Sequence, residues 1–142
     1  MRYSTNPGLD VVNFFEQVLF SFVTGNADMH LKNFSLINQP GTGPILSPSY
    51  DFVATALVNP SDDEDLALTL NGKKKKLKRK DFISAFNTIK LDTKQQENIL
   101  KKMDKAKDKW MEFIDMSFLS TDFKETYKEL IRNRFERLEM NN

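Results

Sequence analysis

Between Gly25 and Phe34 the sequence reads Gly-Asn-Ala-Asp-Met-His-Leu-Lys-Asn-Phe, which sets Asp28, His30 and Asn33 at offsets of zero, two and five. Asp51 follows eighteen residues after Asn33. Phosphoryl transfer asks little covalent chemistry of a protein. It needs a carboxylate to orient or deprotonate the acceptor hydroxyl, and oxygen ligands to hold Mg²⁺ against the phosphates. Those residue types are present here, and Lys32 stands beside Asn33. Singly, Asp28 and Asn33 are also what a turn and a cap employ, and a lone His30 is more often a structural hydrogen-bonding group than a base. The combination with Asp51 is what points to a site.

These residues need elements to position them. Val11, Phe14, Phe15, Val18, Leu19, Phe22 and Val23 recur at helical spacing behind Asp10, which predicts an amphipathic helix with Asp10 as its N-cap and Gly25-Asn26 as its stop. From Asn26 to about Asn71 the helical period disappears. Short β-prone pieces (34–37, 45–46 and 68–70) alternate with turn clusters at 39–43 and 60–63. Asn71-Gly72 is the strongest two-residue hairpin signal and predicts a basic hairpin over 66–80. Helical spacing then resumes through Phe82, Ala85, Phe86 and Ile89. Thr93 and Gln96 read as a capping box ahead of Ile99, Met103, Ala106, Trp110 and Phe113, and a final helix carries Phe123 to Leu138. The fold class expected is mainly α with a small β-hairpin and loop segment bearing the site.

At 142 residues and 39% hydrophobic, the chain is expected to be one domain, 1–142. With 21 basic against 20 acidic side chains, the global balance demands neither nucleic acid nor an anionic membrane. The absence of cysteine removes thiolate metal sites and cysteine nucleophiles and fits a reducing cytoplasm, the expected location. The most apolar stretch, Val11 to Val23, is too short and too polar to cross a bilayer core of ~30 Å. Residues 1–7 read as an extended entry segment without the pattern of a secretory signal. The twelve Phe residues fall mostly at helix or strand spacing and are expected in the core, as are Met29, Met103, Met111 and Met116.

In protein kinases the base-providing Asp and a metal-binding Asn stand five residues apart on one loop, and a second metal-binding Asp opens an Asp-Phe-Gly. Asp28, Asn33 and Asp51-Phe52 follow that order. Here the His follows the Asp by two rather than preceding it, and the Asp-x-His-x-x-Asn order resembles the phosphatidylinositol-kinase and HipA branches of the kinase-like superfamily. The strings Gly25–Ser35 and Leu46–Phe52, with Leu66–Lys73 and Asp81-Phe82, resemble most closely the C-terminal domain of the HipA toxin kinases, over nearly the whole chain. No inositol-binding pocket is discernible for the lipid-kinase alternative.

Residue by residue, the resemblance implies an ATP-dependent serine/threonine kinase in which Asp28 is the catalytic base, Asn33 a Mg²⁺ ligand, and Asp51 the Mg²⁺ ligand bridging to the phosphates. His30 would shape the catalytic loop (25–38), Lys32 would contact phosphate, and 46–53 would be the metal-binding segment. The fold implied is a protein-kinase-like C-lobe. No Gly-x-Gly-x-x-Gly occurs among the five glycines, so the phosphate-clamping N-lobe is expected to be absent here and to be supplied by a separate polypeptide or a longer chain. The isolated chain is accordingly expected to be weakly active or inactive. The resemblance also implies a toxin–antitoxin setting, a DNA-binding antitoxin partner and a protein substrate such as an aminoacyl-tRNA synthetase. Val53 stands where Asp-Phe-Gly has its Gly, so a flip of this segment is not expected. A non-catalytic kinase remnant that binds an antitoxin or a complementary lobe is the rival reading. The lysine run 73–80 lacks interleaved aromatics and reads as a solvated edge rather than a nucleic-acid site, and Gly41-Thr42-Gly43 reads as a turn.

Overall fold

Helical periodicity in the first third yields α1, Pro7–Thr24. The computed structural model describes residues 3–140, so the first two residues of the predicted entry segment lie outside the described residues. α1 starts earlier than the apolar spacing suggested: Asn6 is the N-cap, accepting from Leu9 N–H, and Pro7 takes the first helical position, where its missing N–H costs nothing. Asp10 is therefore not a cap. It is buried in the first turn, where one carboxylate oxygen accepts from Ser4 and, at 2.9 Å, from the backbone N–H of Leu46.

The middle segment holds a 3-10 turn (Leu31–Asn33), two strands, β1 (Leu36–Gln39) and β2 (Gly43–Leu46), and a single helical turn, α2 (Thr55–Val58). β1 and β2 form an antiparallel hairpin, with Leu36 opposite Leu46 and Gln39 opposite Gly43. The turn between them closes with Thr42 N–H on Gln39 O at 3.0 Å. α1 fixes this hairpin through Asp10 and through Gln17, whose Nε2 donates to Ser47 O at 3.1 Å.

Asn71-Gly72 does turn the chain, both residues with positive φ (49° and 74°), but the predicted basic hairpin does not form. Beyond a single bridge, Leu70 to Lys73, no ladder develops. Three of the lysines make ion pairs, Lys73 with Asp81, Lys74 with Glu64 and Lys75 with Asp63, so part of the run is paired with carboxylates on either side of it rather than simply solvated. Leu77 is fully buried, which pulls the run off an extended path.

Three helices follow, α3 (Arg79–Thr88), α4 (Thr93–Met116) and α5 (Thr121–Arg137). The capping box of α4 sits one residue earlier than predicted. Asp92 Oδ1 accepts Gln95 N–H at 2.8 Å and Gln95 Oε1 accepts Asp92 N–H at 2.9 Å, while Gln96 turns back to Leu91 O.

The core gathers one face of α1 (Phe15, Val18, Leu19, Phe22) against Phe82 and Phe86 of α3, Ile99 and Met103 of α4, and Ile131 and Phe135 of α5. Edge-to-face aromatic pairs run through it, Phe22 on Phe82 at 5.1 Å and Phe15 on Phe86 at 5.3 Å. Each fully buried Phe contributes about 1.5–3 kcal/mol of burial. Not every Phe is core: Phe113, Phe118 and Phe123 are exposed, as is Met116. Phe113 and Met116 lie off the face of α4 that carries Trp110 and Ile114 inward, and Phe118 falls in the α4–α5 connection. Among the described residues the architecture is mainly helical with one two-stranded sheet. Among the described residues no helix is long and apolar enough to cross a membrane.

Candidate functional site

α1 ends at Gly25, whose φ of 72° is the left-handed conformation a helix stop favours, and Asn26 N–H reaches back to Ser21 O at 2.8 Å. A Cβ at Gly25 would meet Leu130 at 3.0 Å and Ala56 at 3.1 Å, so a close approach of α2 and α5 also demands glycine here. Buried Asn26 then accepts Asp28 N–H on its Oδ1 at 3.0 Å, and Met29, 2% exposed, plugs the loop into the interior. With its neighbours turned inward, the Asp28 and His30 side chains project outward, 60% and 50% exposed, and His30 Nε2 lies 3.2 Å from Asp28 Oδ1.

The 3-10 turn brings Asn33 under the same loop. Asn33 is buried, and its Nδ2 donates to Asp28 O at 3.2 Å, a carbonyl that also accepts His30 N–H at 2.8 Å. The amide is thereby oriented, and among the described residues no protein donor addresses its Oδ1. Lys32 is exposed, with its backbone carbonyl engaged as described next.

The hairpin delivers Asp51. Beyond the β1–β2 pairing, Ser47 N–H donates to Ser35 O at 2.8 Å, and past that backbone bond the Tyr50 side-chain hydroxyl donates to Lys32 O at 3.1 Å. Asn33 and Asp51 therefore sit on adjacent lengths of chain. Phe52 stacks edge-on against Phe20 of α1 at 5.0 Å, which anchors the segment, and Asp51 itself is exposed. The left-handed backbone falls on Asp51, with φ of 57°, rather than on Val53 at the Gly position. Asp tolerates that region better than most residues, but it still costs of order 1 kcal/mol, and such strain concentrates at functional sites.

Among the described residues no three His, Cys, Asp or Glu side chains gather as a metal cage. Mg²⁺ seldom needs one: it takes one or two protein oxygens, keeps waters, and binds substrate phosphates. An oriented Asn33 Oδ1 and the Asp51 carboxylate fit that demand. A groove of about 720 Å³ between α1, the hairpin and α4 is lined by Gln17, Phe20, Ile37, Leu46 and Ser49 among others and includes none of Asp28, Asn33 or Asp51.

Several supporting groups escape a reading by motif. Asp65 is buried between Arg134 and Arg137 of α5 and accepts Leu77 N–H, while both guanidinium groups lie over the Phe22 ring, at 4.8 and 5.0 Å. Burial pushes the Asp65 carboxyl up, but the hydrogen bonds from Arg137 and Leu77 and the charge of Arg134 outweigh it, and the carboxyl is held below its ordinary 3.8. Burial likewise opposes ionisation of Asp81 and is outweighed by Asn71, Lys73 and Lys78 N–H. No local pattern signals the Asp65 pairs, whose arginines lie on α5; Asp81 stands only eight residues after its partner Lys73.

The family model of the HipA-like C-terminal domain matches residues 1–110. The chain belongs to this family. Within it, the HipA-like sequence resembles two candidate kinases of Sinorhizobium fredii. Y4dM is 50% identical over 46 residues, covering 32% of this chain and 11% of that protein. Y4mE is 41% identical over 54 residues, 38% of this chain and 13% of that protein. A candidate kinase of Haemophilus influenzae is 40% identical over 42 residues, 30% of this chain and 12% of that protein. In structure, the HipA-like fold matches HipA of the Shewanella oneidensis MR-1 toxin–antitoxin system, solved with HipB and operator DNA. The TM-score is 0.81 at 23% identity, over 97% of this chain and 34% of that one. The matched stretches thus span 11% to 13% of these curated relatives, and about a third of the HipA chain.

Proposed function

We propose that this domain is the catalytic-loop and metal-binding portion of a HipA-like serine/threonine kinase, with a protein-kinase-like C-lobe, acting on ATP and a protein hydroxyl with Mg²⁺. The observation that supports the reading is the Tyr50–Lys32 bond, made between the residues that precede Asp51 and Asn33, together with an Asn33 amide bonded to Asp28 O. Exposed Asp28 accepts the proton of the acceptor hydroxyl, and His30, in contact with its carboxylate, shapes that end of the loop. Asn33 Oδ1 and Asp51 would hold the metal, and Lys32 would contact the phosphate. Bound Mg²⁺·ATP supplies the phosphoryl group and the charge that neutralises it in transfer.

The phosphate-clamping lobe belongs, in this reading, to a further length of chain or to a separate polypeptide, and without it turnover is weak or absent. The HipB and DNA in the neighbouring HipA complex support a DNA-binding antitoxin as partner in a cytoplasmic toxin–antitoxin system. A protein acceptor such as an aminoacyl-tRNA synthetase follows from the family resemblance. A second reading, a non-catalytic interaction module, is favoured by one observation, the exposed Phe113, Met116 and Phe118 near the α4–α5 turn.

Calorimetric titration with ATP, with and without Mg²⁺, tests the choice. Mg²⁺-dependent binding that falls at least about tenfold in Asp51→Ala, or about 1.4 kcal/mol, supports the kinase site. Binding indifferent to Asp51→Ala, in the chain alone and with a complementary lobe added, overturns it in favour of the module.

A further inference from the structure

Four residues beyond Asp51, the Thr55 side chain reaches back to the start of the catalytic loop. Its hydroxyl accepts the Ala27 N–H at 2.8 Å and donates to Gly25 O at 3.3 Å, and the next residue, Ala56, donates its N–H to the same carbonyl at 2.9 Å. At the other end of the two segments, Tyr50 is bonded to Lys32. The two motif strings are thus joined at both ends. Asp28 and His30 lie between the joints on one string, and Asp51 lies between them on the other.

We propose that Thr55 is a positioning residue: its hydroxyl closes this frame and sets the Asp28 loop against the Asp51 segment. Two observations require such a clamp. α2, a single turn of four residues, is too short to hold itself and takes its place from tertiary contacts. The Gly25–Asp28 loop also carries a cost, because Asn26 Nδ2 is buried with no partner among the described residues. A loop with an orphaned donor keeps its shape only where its surroundings over-determine it. Thr55 supplies both a donor and an acceptor at that point, which a Val of the same shape cannot.

The functional half of this inference rests on the proposed kinase reading, and the test separates the two. Amide hydrogen exchange at Ala27 is measured by NMR in the full chain, in Thr55→Val and in Thr55→Ser, with thermal unfolding of each. If the Val variant fails to fold, Thr55→Ala removes the same hydroxyl in its place. Exchange at Ala27 should quicken by about tenfold in the hydroxyl-less variant, corresponding to loss of one hydrogen bond, and return toward the parent rate in Ser. Unchanged exchange overturns the clamp whether or not nucleotide binds. Mg²⁺-dependent ATP affinity, read by calorimetry with the complementary lobe added where needed, should fall in Val and recover in Ser. Faster exchange with unaltered affinity overturns the positioning role. Absence of Mg²⁺·ATP binding in the parent counts against the kinase reading alone, and the exchange measurement still decides whether Thr55 clamps the loop.

Discussion

The Tyr50 phenol donates to the Lys32 carbonyl at 3.1 Å, tying the residue before Asp51 to the residue before Asn33. Tyr50→Phe keeps the ring and removes the donor. The bond is exposed, so the expected loss of stability is about 0.5–1.5 kcal/mol, read by urea unfolding. The larger effect falls on Mg²⁺-dependent nucleotide affinity, expected to weaken while Mg²⁺-independent binding stays level. Equal weakening of both would show that the bond does not set the metal geometry.

Asn33 is buried, with its amide bonded to Asp28 O. Asn33→Ala should cost about 1–3 kcal/mol, since it leaves a small cavity and a carbonyl with one partner fewer. Differential scanning calorimetry reads the stability. The same variant should bind ATP with no response to Mg²⁺, and a retained Mg²⁺ response would remove Asn33 from the ligand set.

Asp10 joins α1 to β2 by accepting Leu46 N–H in a buried position. Asp10→Ala strands that N–H, at an expected cost of about 1–3 kcal/mol. Hydrogen exchange at Leu46 should quicken more than exchange in the α1 core around Phe22. A uniform change across both would mean that Asp10 supports the fold generally rather than the hairpin.

Asp65→Ala leaves Arg134 and Arg137 without their carboxylate, and Arg134 is itself buried. Breaking a buried pair from one side costs about 3–5 kcal/mol, a large share of the ~5–15 kcal/mol that domains possess. Chemical unfolding at neutral pH checks the figure.

The same group sets an acid limb. The Asp65 and Asp81 carboxyls are held below 3.8 in the folded protein, so the unfolded chain takes up protons first as pH falls. Their stabilisation is complete above the ordinary carboxyl value and is lost as pH drops through the folded-state value. Stability should therefore decline steeply below about pH 4, and Asp65→Asn should show a shallower decline from a lower neutral-pH value. An unaltered acid slope in that variant would place the linkage on other carboxyls.

What the sequence determined by itself is what a short window can encode. The spacing of Asp28, His30, Asn33 and Asp51 was visible, as were α1 from its apolar period and the turns at Gly41 and Asn71-Gly72. Boundaries were less legible: the α4 capping box read at Thr93 and Gln96 is formed by Asp92 and Gln95, one residue earlier. Only the tertiary structure decided the rest. The Asp65–Arg134 and Asp65–Arg137 pairs join residues 69 and 72 positions apart, and the Thr55 clamp spans 28. The Asn71-Gly72 turn formed without its hairpin, because burial of Leu77 and pairing of the lysines with Asp63, Glu64 and Asp81 outcompeted a strand ladder. Periodicity and capping are local hydrogen-bond and burial preferences. Which charges meet, and which loop a hydroxyl pins, depends on how α1, the hairpin and α5 pack, and that information is distributed over the whole chain.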